Sequence, residues 1–337
     1  MCGILWRAER QLTSFLRSLR RRIMTPDISE TKLATRGFHV KSPESRDLLE
    51  TVGETFLKGY GYAMEACTVA EAEERLEQVP TRFRGFAYEG AGMAFAILDA
   101  TPFGGGRVEE FLAGRGGRHN YMIYVGIGWA MARLPRFLWP RPESLDPQLR
   151  WLALDGYGFH QAYFRTDKYV HGQYRDAAFP WPADATRPYA NRAIDQGIGR
   201  AIWFVAGTDA ERCADLIDRF DPSRRADMYA GAGLAATYAG GAAEEELLTL
   251  RERAGEHRPQ LAQGSAFAAE ARVRAGLVVP HTRLATEIFC GLPEERAAQI
   301  TQLVRPPQPL RDGDPPAYEL WRQCIANEFV SLGGVTQ

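Results

Sequence analysis

The sequence predicts a mainly α-helical, internally duplicated protein with two pseudo-twofold-related halves, and three observations lead there. Apolar residues recur at helical spacing along most of the 337 residues, while runs of β-branched residues are scarce. The stretch "YEGAGMAFA" at 88–96 returns as "YAGAGLAAT" at 229–237, 141 residues on. The match extends upstream without a gap, "EACTVAEAEERLEQVPTRFRGFAYEGAG" lying over "AGTDAERCADLIDRFDPSRRADMYAGAG". The third observation is that G-x-G occurs in six apolar or aromatic settings: Gly59 and Gly61, Gly90 and Gly92, Gly126 and Gly128, Gly156 and Gly158, Gly197 and Gly199, Gly231 and Gly233. A glycine inside a helix costs about 0.5–1 kcal/mol relative to alanine, so this repeated use predicts that something comes close to the backbone.

Along the chain, residues 1–43 hold a basic amphipathic helix and a linker. Ile4, Leu5, Leu12, Phe15, Leu16, Leu19 and Ile23 alternate with Arg17, Arg20, Arg21 and Arg22. Such a helix can lie on an anionic membrane surface, dock a biosynthetic partner protein, or pack on its own domain. The first helical repeat is expected over 44–165, an aromatic and proline-rich linker over 166–185, the second repeat over 186–303, and a linker and helix over 304–337. Thr68, Thr208 and Asp146 are placed as N-caps, and Pro80, Pro147 and Pro222 lie near helix starts. "YMIYVGIGW" (121–129) is the best strand candidate, but it runs on into "AMARL" and reads more easily as a buried helix.

Composition narrows the functional classes. With 25% charged and 45% apolar residues and a net charge of -1, there is no broad nucleic-acid footprint. No apolar run approaches the roughly 20 residues of a membrane span. Five scattered cysteines without a C-x-x-C pair read as reduced thiols, and the N-terminus lacks a continuous secretory apolar region. The expected location is cytoplasmic, peripheral at the membrane if the N-terminal helix attaches there. Phosphate-loop, nucleophile-elbow and Rossmann signatures are missing, as are H-E-x-x-H and H-x-H metal spacings, so no metal and no cofactor is expected. Asp215, Asp218 and Asp221 superficially suggest a magnesium-diphosphate motif, but their counterparts Glu74, Glu77 and Pro80 identify a solvated acidic face.

The glycines admit two readings that can both hold. Small residues let helices cross tightly around the pseudo-twofold axis. Alternatively, some of them line a long apolar cleft for a flat or extended ligand, beside Trp129, Tyr157, Phe159 and Trp203. Polar residues on apolar segments supply the candidate chemistry. Glu89 precedes the first glycine pair, whereas the second copy has Ala230. Asp155 and His160 are five apart, so a helix sets them about 140° from each other and each must find partners on other helices. The remaining candidates are His119, Asp195 and Arg200 for catalysis, with Gln263 and His281 on the substrate. The plainer alternatives are that Asp195 caps a helix beginning near Gln196, that Arg200 pairs structurally with a carboxylate, and that the histidines are satisfied helix-end residues.

"RGFAYEGAGMA", "HNYMIYVGIGWAMARLP", "LRWLALDGYGFHQAYF", "DQGIGRAIWFV" and "LAQGSAFAAEAR" together resemble the domain-of-unknown-function family numbered 1702, over about residues 20–300. Its bacterial members are often labelled enediyne biosynthesis proteins. The resemblance implies specialised, antibiotic-type metabolism with polyketide-like or other polyunsaturated apolar substrates. Glu89, His119, Asp155, His160, Asp195, Gln196, Arg200, Gln263 and His281 fall on positions matching the family's motifs. The expected function is a cofactor-independent cyclase or isomerase acting on an apolar polyene or isoprenoid-like intermediate. Asp155 or Glu89 would be its acid or base, with His160 or His119 as partner. The alternatives are a non-catalytic protein that sequesters a reactive natural product, and a metal- or haem-dependent tailoring enzyme.

Overall fold

The computed structural model describes residues 17–18, 20–22, 24–102, 104–307 and 315–333, and every regular element among them is helical. Seven long helices carry the architecture: α1 (Pro43–Glu65), α3 (Thr81–Asp99), α5 (Asn120–Arg133), α6 (Arg150–Phe164), α7 (Ala190–Val205), α9 (Pro222–Ala239) and α11 (Arg258–Ala275). Shorter helices fill the gaps: α2 (Val69–Leu76), α4 (Arg107–Ala113), α8 (Ala210–Asp218), α10 (Glu244–Ala254), α12 (Pro280–Cys290) and α13 (Glu294–Leu303), before the C-terminal α14 (Ala317–Ser331). The strand candidate at 121–129 lies within α5.

Local signals account for several helix starts. Ser42 and Ser45 form a capping box ahead of α1, whose first residue is Pro43. Thr68 caps α2 by accepting from the Glu71 amide. The expected cap at Thr208 falls instead on Asp209, which accepts from the Arg212 amide at 3.0 Å. Thr208 has a positive φ of 66°, and its hydroxyl donates to the Gly241 carbonyl at 2.9 Å.

Each of the seven helices packs mainly on its predecessor and successor in that order. Glycine makes this possible. Residues two apart on a helix point about 200° apart, so G-x-G offers one bare face to each neighbour. A Cβ on Gly90 would sit 2.0 Å from the Phe56 carbonyl oxygen of α1, and one on Gly92 3.0 Å from Ile123 Cα of α5. On α5 itself, a Cβ on Gly126 would sit 2.2 Å from the Glu89 carbonyl oxygen of α3, and one on Gly128 1.9 Å from the Ala153 carbonyl oxygen of α6. Gly156 and Gly158 repeat this between α5 and α7, and Gly197 and Gly199 between α6 and α9. As residue number rises along one helix it falls along the next, so consecutive helices run antiparallel. The close-approach reading of the glycines therefore describes serial seams between neighbours.

The array curls back on itself. Lys41, just before α1, donates to the Gly241 carbonyl at 2.9 Å and pairs with Glu246 at 2.7 Å. The Tyr238 hydroxyl of α9 lies against Gly85 of α3, and Arg272 of α11 donates to the Arg82 carbonyl at 3.2 Å. An interior space remains between the helices. Outside the array, Arg322 of α14 pairs with Asp227 at 2.8 Å and Glu319 at 3.2 Å, and the Tyr189 hydroxyl donates to Glu319 at 2.6 Å.

The glycine contacts of α1, α3 and α5 are matched one for one in α7, α9 and α11, as they are at the seams between. Gly59 meets Ala87, Gly90 meets Phe56, Gly92 meets Ile123 and Gly126 meets Glu89; in the later helices Gly199 meets Met228, Gly231 meets Gln196, Gly233 meets Leu261 and Gly264 meets Ala230. Tyr88 donates to Glu77 at 2.7 Å and stacks on His119; Tyr229 donates to Asp218 at 2.9 Å and stacks on His257.

The basic N-terminal helix falls largely outside the described residues. In its described part Arg20 donates to the Met64 carbonyl at 2.7 Å and Arg21 pairs with Glu65 at 2.9 Å, both on α1. Among the described residues no helix is long and apolar enough to cross a membrane.

Two substitutions test the seam. Gly128→Ala drives a methyl into a backbone oxygen and is expected to destabilise by about 3 kcal/mol or more. Gly61→Ala, whose nearest neighbour is the flexible Arg21 side chain at 3.1 Å, is expected to lie within about 1 kcal/mol of wild type. Urea unfolding of both variants checks the contrast, and equal losses would contradict it.

Candidate functional site

The interior space is a cavity, partly open to solvent, walled by α1, α3, α5, α6, α7 and α9. Its lining is mostly aromatic and aliphatic, with Phe56, Phe86, Trp129, Phe159, Tyr163 and Phe204 prominent. These rings pack on one another, Trp129 lying 4.5 Å from Phe56 and 5.3 Å from Phe159 between centroids. A second, smaller cavity adjoins it, lined on one side by Tyr318 and Trp321 of α14; Arg200, Leu234 and Tyr238 line both.

Glu89 enters the larger cavity from α3, only 4% exposed and with no ion-pair partner among the described residues. Burial raises its pKa to about 7, against the pull of the Arg200 guanidinium and with a further push from Asp155. The Trp129 indole N–H, which has no partner of normal hydrogen-bond geometry, opposes the rise only weakly.

Asp155 projects from α6 and is completely buried. It accepts from Arg200 and, at 2.7 Å, from the Gln196 amide, both on α7; Gln196 also donates to the Tyr318 hydroxyl at 3.2 Å. Asp155 and Arg200 thus neutralise each other at the cavity wall, the structural pairing that was one of the two readings of Arg200. His160 turns away from Asp155, as the five-residue spacing requires. It meets Trp129 edge-on at 5.3 Å and Phe164 at 4.6 Å. Burial, aided by Arg133 and Arg165, holds its pKa down at about 3, so the imidazole is neutral.

Of the sequence candidates, the structure gathers Glu89, Arg200, His160, Trp129 and Phe159 at the large cavity, with Asp155 directly behind Arg200. The others lie elsewhere. His119 stacks on Tyr88 at 3.7 Å, with its pKa lowered by burial to about 4. Asp195 is mid-helix in α7, which begins at Ala190, and holds Arg224 through two bonds of 3.0 and 2.6 Å. Tyr157 packs on Phe179 at a separate polar concavity. Trp203 donates to the Gly240 carbonyl at 3.1 Å, and His281 faces the Tyr238 carbonyl at 3.1 Å. Gln263 accepts from Arg322 at 3.1 Å, tying α11 to the C-terminal helix. Asp215 and Asp218 pair with Arg253, and Asp221 caps α9.

The residues missed from sequence include the wall rings Phe56, Phe86, Tyr163 and Phe204, and Tyr238 with its neighbours Leu234 and Ala235, which share one face of α9 at i, i+1 and i+4. That face was legible by counting on from the glycine pair. Tyr318 and Trp321 carried no local signal, because only the fold brings α14 to the cavity.

The fold and site together define a helical protein with a largely apolar chamber, partly open to solvent, that holds one unpaired acid. The chain belongs to the family described as "Protein of unknown function (DUF1702)", whose model matches residues 15–329. No curated protein and no solved structure matches the chain.

Two measurements follow. A carboxyl that prefers its proton in the folded state costs nothing below the unfolded pKa of 4.5, and stability is lost as pH rises from 4.5 towards 7. Glu89→Gln is therefore expected to gain roughly 3 kcal/mol on wild type across that window, seen as diverging melting temperatures; parallel curves would contradict it. Tyr238→Phe removes a buried hydroxyl that has no hydrogen-bond partner, while keeping the ring that packs on Phe86 and Arg272. It is expected to leave stability unchanged or raise it by about 1 kcal/mol in thermal unfolding.

Proposed function

We propose that the chamber binds an extended, apolar, polyene-like small molecule of specialised metabolism and that the chain acts on it as a cofactor-independent cyclase or isomerase. The observation that carries this reading is Glu89: an unpaired carboxyl with a pKa of about 7, in a cavity otherwise walled by rings and aliphatic side chains. Such a group gives or takes a proton near neutral pH without the heavy driving-force penalty of an ordinary carboxylate. The apolar lining disfavours water beside the substrate, and the aromatic wall holds it in one folded conformation. Asp155 and Arg200 act as a fixed dipole beside Glu89, and neutral His160 is part of the aromatic wall.

We also infer that the scaffold arose by internal duplication, with α1, α3 and α5 corresponding to α7, α9 and α11 and with α6 between them. The ungapped match of residues 65–92 with 206–233 and the paired tyrosine–histidine stacks support this. On that correspondence Glu89 matches Ala230, so one repeat alone carries the acid.

Sequestration without turnover is the second reading, favoured by Asp155, whose two oxygens are taken up by Arg200 and Gln196 so that it shapes the cavity wall without supplying chemistry. Glu89→Gln separates the two. Incubated with the apolar metabolite pool of the host and followed by mass spectrometry, the variant is expected to retain bound ligand and lose conversion at least ~100-fold. Undiminished conversion by the variant would remove Glu89 as the acid, and ligand recovered unchanged from the wild type would favour sequestration.

A further inference from the structure

Four residues that line the large cavity each hold a buried polar atom without a hydrogen-bond partner: Trp129 Nε1, His160 Nδ1, Arg200 Nε and Tyr238 Oη. All four residues are more than nine-tenths buried, at 8%, 8%, 6% and 3% exposure. Leaving such groups unmatched is costly, and native interiors do so rarely. Three of the four, the indole N–H, the guanidinium Nε–H and the phenol O–H, are donors, and they belong to the residues whose interactions converge on Glu89. Apart from Glu89, Glu30, Thr31 and Arg133, the rest of the wall is apolar or aromatic.

We propose that the ligand of this chamber carries a neutral oxygen function, a carbonyl or hydroxyl, which is held by Trp129, Arg200 and Tyr238 beside Glu89 while its hydrocarbon body fills the aromatic wall. The inference rests on the cavity reading above and names the substrate's polar group. A carboxylate is disfavoured. Arg200 is already neutralised by Asp155, so an anionic group held at these donors would place a second negative charge next to Glu89. A purely hydrocarbon ligand would bury the same donors against carbon. Tyr238 and Arg200 also line the second cavity, which puts the oxygen at the junction of the two chambers.

The test uses a linear conjugated tetraene in three forms of matched length: aldehyde, carboxylic acid and terminal hydrocarbon. Binding to the full chain is read by the probe's own absorbance and fluorescence at pH 8. The aldehyde is expected to bind roughly tenfold tighter than the hydrocarbon, with the acid weakest. Tyr238→Phe, which keeps the ring and removes only the hydroxyl, is expected to cut aldehyde affinity several-fold and leave hydrocarbon affinity unchanged, a split that general damage to the pocket would not produce. Equal binding of aldehyde and hydrocarbon, as expected if only water satisfies the donors, overturns the proposal while leaving the apolar-cavity reading standing. Tightest binding by the acid overturns it too. Binding of none of the three overturns both readings.

Discussion

Backbone-to-backbone contact through glycine is the constraint on which the rest of this molecule depends. Ordinary helix packing keeps axes 8–10 Å apart because side chains fill the interface. Here a carbonyl oxygen of one helix occupies the space that a Cβ of its neighbour would need, and this happens at seam after seam from α1 to α11. Cα–H groups facing carbonyl oxygens add a weak attraction to the close fit. The helices therefore form a thin, continuous wall. Large side chains, excluded from the seams, are left to project to the two faces of that wall, and the face turned inward by the curl becomes the aromatic chamber.

The site follows from that geometry. Glu89 immediately precedes Gly90, so it rides on the helix stretch that α1 and α5 grip most closely. Its backbone carbonyl touches Gly126, and its side chain is carried inward on a rigid support. Burying an acid without a counter-ion is expensive, and the structure tolerates it only because the carboxyl can stay protonated. Asp155 shows the opposite solution at the same wall, where Arg200 and Gln196 satisfy both of its oxygens. Two carboxyls a short distance apart are thus driven to different chemistry by their neighbours, a separation of roles familiar in acid–base sites.

Much of the fold was legible in the sequence. Helical periodicity, capping residues such as Ser42 and Thr68, and the G-x-G pairs all act locally, and each reads the same way in isolation as in the structure. The site was only partly legible. Glu89, Trp129, Phe159, His160 and Arg200 stood out as polar or aromatic groups on the glycine-bearing helices, and those helices do line the cavity. His119, Asp195, Trp203, Gln263 and His281 stood out for the same reason, yet their partners, Tyr88, Arg224, Gly240, Arg322 and the Tyr238 carbonyl, are distant in sequence and draw them elsewhere. Which face of a helix turns inward depends on the curl of the whole array, and no local pattern encodes that. Tyr238 was overlooked because its apolar neighbours made it look like one more core residue.

The central claim is that the chamber holds a carboxyl whose proton is lost only near neutrality. Carbon-13 NMR of protein labelled at the glutamate side-chain carboxyls, with Glu89 assigned by the signal missing from Glu89→Gln, measures it directly. The account predicts a Glu89 titration centred at about pH 7. A midpoint near the ordinary glutamate value of about 4.3 would contradict it, because a carboxyl ionised at that pH would have to be hydrated or paired.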